Sequence, residues 1–188
     1  RLAQRLAGLG DRRLDDASPY VDAQLPDGTR VHAVLPPVAR GGPYLSLRTF
    51  RRRGRTLTDL VARGSVPAAG AELLAAVVAA RLPYLVTGGT GCGKTTVLGA
   101  LLALVPPDER IVLVEDAAEL CPEHPHVVAL QARTPNVEGA GVVTLRDLVR
   151  QALRMRPDRL VVGECRGAEI VDLLAALNTG HEGGAATM

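Results

Sequence analysis

The chain has 188 residues, 47% of them hydrophobic, with a net charge of +2, enough for one ordinary domain or one domain and part of another. A charge so close to balance gives no general argument for nucleic acid, and an aromatic share of 2% leaves the core to Ala, Leu and Val. Cys92, Cys121 and Cys165 form an odd set without framework spacing, which favours reduced thiols over a secreted disulfide scaffold. The longest apolar stretches, such as Leu73 to Ala80, fall far short of a membrane span, and the opening residues show no signal-peptide pattern. Charge is unevenly spread: Arg48, Arg51, Arg52, Arg53 and Arg55 cluster, whereas the charged residues of Asp108 to Glu123 are mostly acidic.

In chain order, Leu2, Leu6 and Leu9 suggest the end of a helix. Val21 to Leu25 alternates like a half-buried strand, Pro26-Asp27-Gly28 is a turn signal, and Arg30 to Leu35 and Tyr44 to Phe50 read as further strands. Residues 1–50 are therefore expected to be part of a small α+β N-terminal domain. Residues 51–66 read as a linker, with Thr56 or Thr58 able to cap a short helix over Leu57 to Ala62. From Pro67 onward helix and strand alternate: a helix over Ala71 to Arg81, then strands ending near Thr87, Val114, Leu130 and Val162. Thr144-Leu145-Arg146-Asp147 resembles a capping box that opens a helix to about Met155, and Glu169 to Leu177 makes another, stopped by Asn178 and Gly180. Such alternation predicts an α/β fold over 67–188 with a mostly parallel sheet covered by helices.

Lys94 is the only lysine among 22 basic residues. It stands in Gly88-Gly89-Thr90-Gly91-Cys92-Gly93-Lys94-Thr95-Thr96, which fits G-x-x-x-x-G-K-[ST], the pattern whose backbone N–H groups cradle nucleotide phosphates. A compact ammonium on a flexible stem reaches between phosphates where a planar guanidinium fits less well. The context is the required one, with an apolar strand before the loop and an Ala/Leu/Val-rich helix after it. The helix N-terminus adds partial positive charge, and the Thr95 hydroxyl is placed for Mg²⁺.

Hydrolysis also needs groups to hold Mg²⁺ and to orient or deprotonate water. Two apolar strands end in acids: Glu115-Asp116, with Glu119 one turn later, and Val161-Val162-Gly163-Glu164. In an open α/β sheet the carboxyl ends of strands lie beside the phosphate crevice.

Together with Val114 to Leu120, Arg156 to Gly167 and Thr179-Gly180-His181-Glu182-Gly183-Gly184, the glycine loop resembles the motif set of the secretion ATPase superfamily of type II secretion, type IV pili and type IV secretion. The order is that of its Walker A loop, Asp box, Walker B box and His box, and the match covers about residue 45 to the end. The Arg-Pro-Asp run before Gly-Glu-x-Arg-Gly and the Glu-Asp-x-Ala-Glu-Leu form look most like the tight-adherence (Flp) pilus branch, with conjugal-transfer ATPases close by. The resemblance implies a RecA-like P-loop ATPase using ATP and Mg²⁺. Glu115 would activate water, Glu164 would hold Mg²⁺ through water in place of the usual aspartate, and His181 would sense the γ-phosphate. Arg48 and one or more of Arg51 to Arg53 would reach nucleotide across the domain cleft or from a neighbouring subunit.

It further implies a cytoplasmic homo-hexamer, peripheral at the inner face of the membrane, working with a membrane platform protein in pilin assembly or export. Direct nucleic-acid contact is not expected. The paired CxxC zinc module of many type II members has no counterpart, and Cys121 to His126 reads as an ordinary loop. Ala185 to Met188 is expected to open a strand leading to a second histidine, so the chain stops inside the His box. Three rival readings are a conjugative or type IV secretion ATPase, a RecA-like motor stimulated by nucleic acid through the Arg48 to Arg55 cluster, and a nucleotide-binding assembly module without hydrolysis.

Overall fold

The computed structural model describes residues 1–49, 54–135, 140–178, 180 and 182–188. The chain divides into two compact units, Arg1–Arg51 with Thr134–Val142, and Arg52–Arg133 with Val143–Met188.

In the first unit, helix α1 (Leu2–Leu9) precedes an antiparallel sheet of β1 (Tyr20–Gln24), β2 (Arg30–Val34) and β3 (Tyr44–Arg48) in the order β1-β2-β3. Period-two alternation sends Val21, Ala23, Val31 and Ala33 into a small core with Ala3, Ala7 and Leu14. The turn at Pro26-Asp27-Gly28 forms as expected: Gly28 takes φ 88°, and the Thr29 N–H donates to the Asp27 carboxylate at 3.0 Å. Strand β3 is exposed along its whole length. Of the strand expected to reach Phe50, Tyr44–Arg48 is present and Phe50 lies outside the described residues.

The second unit is a parallel sheet between two layers of helices. Its strands are β4 (Tyr84–Val86), β5 (Ile111–Glu115), β6 (Val127–Gln131), β7 (Arg159–Val162) and β8 (Ala185–Thr187), in the order β4-β8-β7-β5-β6, and every pairing is parallel. Ile111 and Leu113 face α2 (Leu57–Ala62), α3 (Ala68–Ala79) and α4 (Lys94–Leu102). Val112 and Val114 face α5 (Leu145–Ala152) and α6 (Glu169–Asn178). Burial on both faces explains why β5 and β7 read as unbroken apolar runs rather than alternating ones.

Helix starts follow local chemistry. Thr56, not Thr58, caps α2, and both halves of its capping box with Asp59 are present. Thr144 and Asp147 form the expected box at α5, whose end tightens into a 3₁₀ turn over Leu153–Met155. Helix α3 starts at Ala68, just after Pro67, rather than at Ala71. The stretch read as a linker, 51–66, contributes Leu57 and Leu60, 7% and 3% exposed, to the core of the second unit. Their packing against α3 and α4 makes α2 part of the folded body.

The sheet order positions the site. The crossover from β4 through α4 leaves room for two strands before β5, and the later crossovers through α5 and α6, on the opposite face, fill that gap with β7 and β8. The chain therefore leaves the sheet in different directions from neighbouring strands, the arrangement that opens a crevice at the carboxyl edge. Four strand ends meet there: Val86, Thr187, Val162 and Glu115.

Candidate functional site

The glycine loop leaves β4 at Val86 and feeds directly into α4, whose first residue is Lys94. Gly91 and Gly93 take φ values of 77° and 97°, in the region where a side chain would strain the backbone. The Lys94 ammonium turns back into the loop, donating to the carbonyls of Gly88 at 2.7 Å and Gly89 at 3.2 Å. Among the described residues, the only backbone hydrogen bond donated from Gly89 to Gly93 is the long one from Cys92 N–H to the Gly89 carbonyl, 3.4 Å. The loop therefore keeps free N–H donors beside a cation and a helix N-terminus, a set that fits phosphate oxygens. Thr95 and Thr96 follow on the first turn of α4, both half-buried.

Glu115 ends β5 and is 4% exposed. Its Oε1 accepts the N–H groups of both Glu119 and Leu120 at 3.0 Å. Burial outweighs those two bonds and, with some repulsion from Glu119, pushes its carboxyl up to about 7. Gly163 makes room for it: a Cβ there would lie 2.7 Å from Glu115 Cγ. The register explains this, because Val114 pairs with Val162 and the residues that follow them are Glu115, the last of β5, and Gly163, just past β7.

Glu164 follows on the same turn, less enclosed, with its Oε2 2.7 Å from the guanidinium of the exposed Arg166. The turn is tightly held. Gly163 N–H donates to the Val114 carbonyl and Cys165 N–H to the Thr187 carbonyl, both at 2.8 Å. Glu169 Oε1 accepts the N–H groups of Arg166 and Gly167 at 2.6 and 2.7 Å. Burial opposes ionisation of Glu169, but the backbone donors of Arg166, Glu169 and Gly167 win and hold it below the ordinary glutamate value. Two carboxylates with similar donors thus differ in charge preference because Glu115 lies deeper. Burial, then Glu169 and Glu164, push the Cys165 thiol up to about 11, which favours the neutral thiol over the thiolate.

The sheet brings the glycine loop, Glu115 and Glu164 to one edge of the second unit. Arg48 ends β3 in the first unit, directly opposite Arg30 on β2. His181 and Thr179, and Arg51 to Arg53, lie outside the described residues. In the Cys121 to His126 loop the imidazoles serve local bonds: His124 Nε2 pairs with the Pro106 carbonyl, and His126 Nε2 accepts from Arg110 Nε, both at 2.9 Å. Sequence reasoning missed Gly163, Glu169 and Thr187. Only Glu169 carried a local signal, an acid at the start of a helix three residues after Arg166, the spacing that gathers free N–H groups.

A glycine loop between strand and helix, set at the carboxyl edge of a parallel sheet whose other strands end in acids, defines the class as a P-loop protein of the RecA-like fold. The chain belongs to the type II/IV secretion system protein family, whose model matches residues 1–188. A protein of Mycobacterium tuberculosis, provisionally named for conjugal transfer, is 64% identical over 194 residues, covering all of this chain and 55% of that protein. The conjugal transfer protein TrbB of Rhizobium radiobacter is 34% identical over 93% of this chain and 53% of its own length. The chain thus spans about half the length of these curated relatives. Among solved structures, the VirB11 ATPase of the Brucella suis type IV secretion system, in complex with sulphate, covers 99% of this chain and 60% of its own, with 30% identity and a TM-score of 0.54. The pilus retraction motor PilT with bound ADP shares the fold, with a TM-score of 0.63, 24% identity, and coverage of 90% of this chain and 46% of its own.

Proposed function

We propose that the chain is the nucleotide-handling part of a motor subunit that hydrolyses ATP to drive pilin assembly or protein export. The observation that carries this reading is Glu115, a buried carboxyl raised to about 7, on the same sheet edge as the glycine loop and Glu164. A plain strand-end acid would be solvated and ionised; one held near neutrality by burial is suited to taking a proton from water.

In this reading Lys94 and the loop N–H groups hold the phosphates, and Glu115 orients the attacking water and accepts its proton. Thr95 and Glu164 supply hard oxygen donors, the chemistry Mg²⁺ prefers, and they would hold it, Glu164 through water. When bound, the ion neutralises phosphate charge. Arg166, paired with Glu164, stands ready to give up that pairing to a ligand. Arg48, with Arg30 directly opposite, would bring positive charge to the phosphates from the N-terminal unit or from a neighbouring subunit of a hexamer, and His181 would sense the γ-phosphate. The motor would work at the cytoplasmic face of the membrane with a platform protein; among the described residues no helix is long and apolar enough to cross a membrane.

Mg²⁺-dependent ATP hydrolysis, nucleotide binding and oligomer size, measured on the chain carried past Met188 to the length of its relatives, test the reading. Hydrolysis by a hexamer is expected. Binding without hydrolysis would replace it with an assembly module, and stimulation by DNA that vanishes at high salt would replace it with a nucleic-acid motor. Gly163→Ala gives a sharper check. Its methyl group would drive Glu115 from the N–H groups of Glu119 and Leu120, and hydrolysis should fall roughly 10- to 100-fold while nucleotide affinity is kept. An unchanged rate would remove Glu115 from the mechanism.

A further inference from the structure

We infer that Thr187 is a positioning residue that fixes the Gly163–Glu164 turn, and through it both acids, relative to the strand that feeds the phosphate loop. The inference rests on the proposed reading of this edge as a hydrolysis site.

Strand β8 consists of Ala185, Ala186 and Thr187, and all three are buried. The two alanines meet the packing on either face of the sheet. A threonine at the third position is unexpected on packing grounds alone, because valine has nearly the same shape, the same β preference and no hydroxyl to satisfy. At 2% exposure, that hydroxyl requires a partner, and it has one: Thr187 Oγ1 donates to the Gly163 carbonyl at 2.6 Å. The Thr187 carbonyl accepts the Cys165 N–H at 2.8 Å. One residue therefore clamps the turn on both sides of Glu164.

Its other connections run toward the nucleotide. Thr187 pairs with Val86 across the β4–β8 ladder, and the next residue, Met188, donates its N–H to the Val86 carbonyl at 3.0 Å. Val86 is two residues before Gly88. On the far side, Gly163 is the residue against which Glu115 rests, with no room for even a methyl group. A movement of the Gly163 carbonyl is thus a movement of the surface that seats Glu115. Thr187 spans the two halves of the site through one hydroxyl and its own backbone, although it need not touch nucleotide.

Thr187→Val and Thr187→Ser separate the hydroxyl from the packing. On the chain carried past Met188, ATP turnover is measured as kcat and KM. On the chain itself, the Mg²⁺ dependence of binding a fluorescent ATP analogue is measured together with the melting temperature. The valine variant should lose roughly 10- to 100-fold in kcat with KM within about threefold, and need several-fold more Mg²⁺ for half-maximal analogue binding. The serine variant should stay within about threefold of wild type in both. If the valine variant melts too early to measure, Thr187→Ala removes the same hydroxyl. Valine matching wild type in turnover and Mg²⁺ dependence overturns the role of Thr187, as does serine impaired as deeply as valine. A wild type that binds the analogue without regard to Mg²⁺ and does not hydrolyse ATP overturns the reading of the site itself, a different result from an active wild type with an equally active valine variant.

Discussion

Glu115→Gln should lower ATP turnover by about 10²- to 10⁴-fold, the range expected for loss of a general base, while nucleotide still binds. The same substitution should make the protein more stable at pH 8. The carboxyl is raised from 4.5 to about 7 in the folded chain, so between those values the native state holds a proton that the unfolded chain has released. Stability contributed by this group is full below about 4.5, falls as pH rises, and is lost above about 7. Glutamine mimics the protonated form and escapes that loss. At pH 8 the variant should gain on the order of 3 kcal/mol over wild type, and near pH 4 the two should unfold alike. Denaturant titrations at both values measure the gain. Turnover of wild type should rise with pH through about 7, as the carboxyl ionises. Equal stability of the two proteins at pH 8 would mean that Glu115 is not the desolvated acid described above. Its inactivity would then need another cause.

What the sequence reveals of the site follows the range of the interactions involved. The glycine loop, the caps at Thr144 and Thr56 and the strand-end acids are contiguous in the chain, so their chemistry is visible in a few residues. Burial of β5 and β7 on both faces was legible too, because it writes continuous apolar runs. The seat of Glu115 was not, since it depends on Gly163, 48 positions away by residue number, and becomes a contact only through the β5–β7 register. Nor could the sequence place β8 between β4 and β7, an outcome of two crossovers on opposite faces. Thr187 is invisible for the same reason: a threonine after two alanines has no local distinction until β8 is inserted. Thr134–Val142 clusters with the N-terminal unit, against the expectation that everything after residue 67 belongs together, and at least one contact that ties it there spans more than a hundred positions: Arg12 donates to the Pro135 carbonyl.

The second large effect is expected at the opposite edge of the sheet, where Arg159 begins β7. Its side chain is 1% exposed; Nε donates to Glu109 at 2.6 Å and one terminal nitrogen to the Val78 carbonyl at 3.0 Å. The other terminal nitrogen is buried without a hydrogen-bond partner among the described residues. Arg81 joins from outside, 3.2 Å from the second oxygen of Glu109. Nearby, burial pushes the Tyr84 hydroxyl up to about 12, although the positive charge of Arg159 pulls the other way. Removing Glu109 leaves the Arg159 charge buried and uncompensated, so Glu109→Ala should cost about 3–5 kcal/mol; Arg159→Ala leaves Glu109 its contact with Arg81 and should cost less. The double substitution Glu109→Leu with Arg159→Met keeps the volume and removes both charges, and should recover most of the Glu109→Ala loss. Because this network lies at the amino ends of the strands, nucleotide affinity of any variant that folds should stay at the wild-type value. Urea unfolding of the two single variants and the double variant decides the matter. A double variant as unstable as Glu109→Ala would show that the charges themselves, and not the avoidance of an orphaned one, hold this end of the sheet.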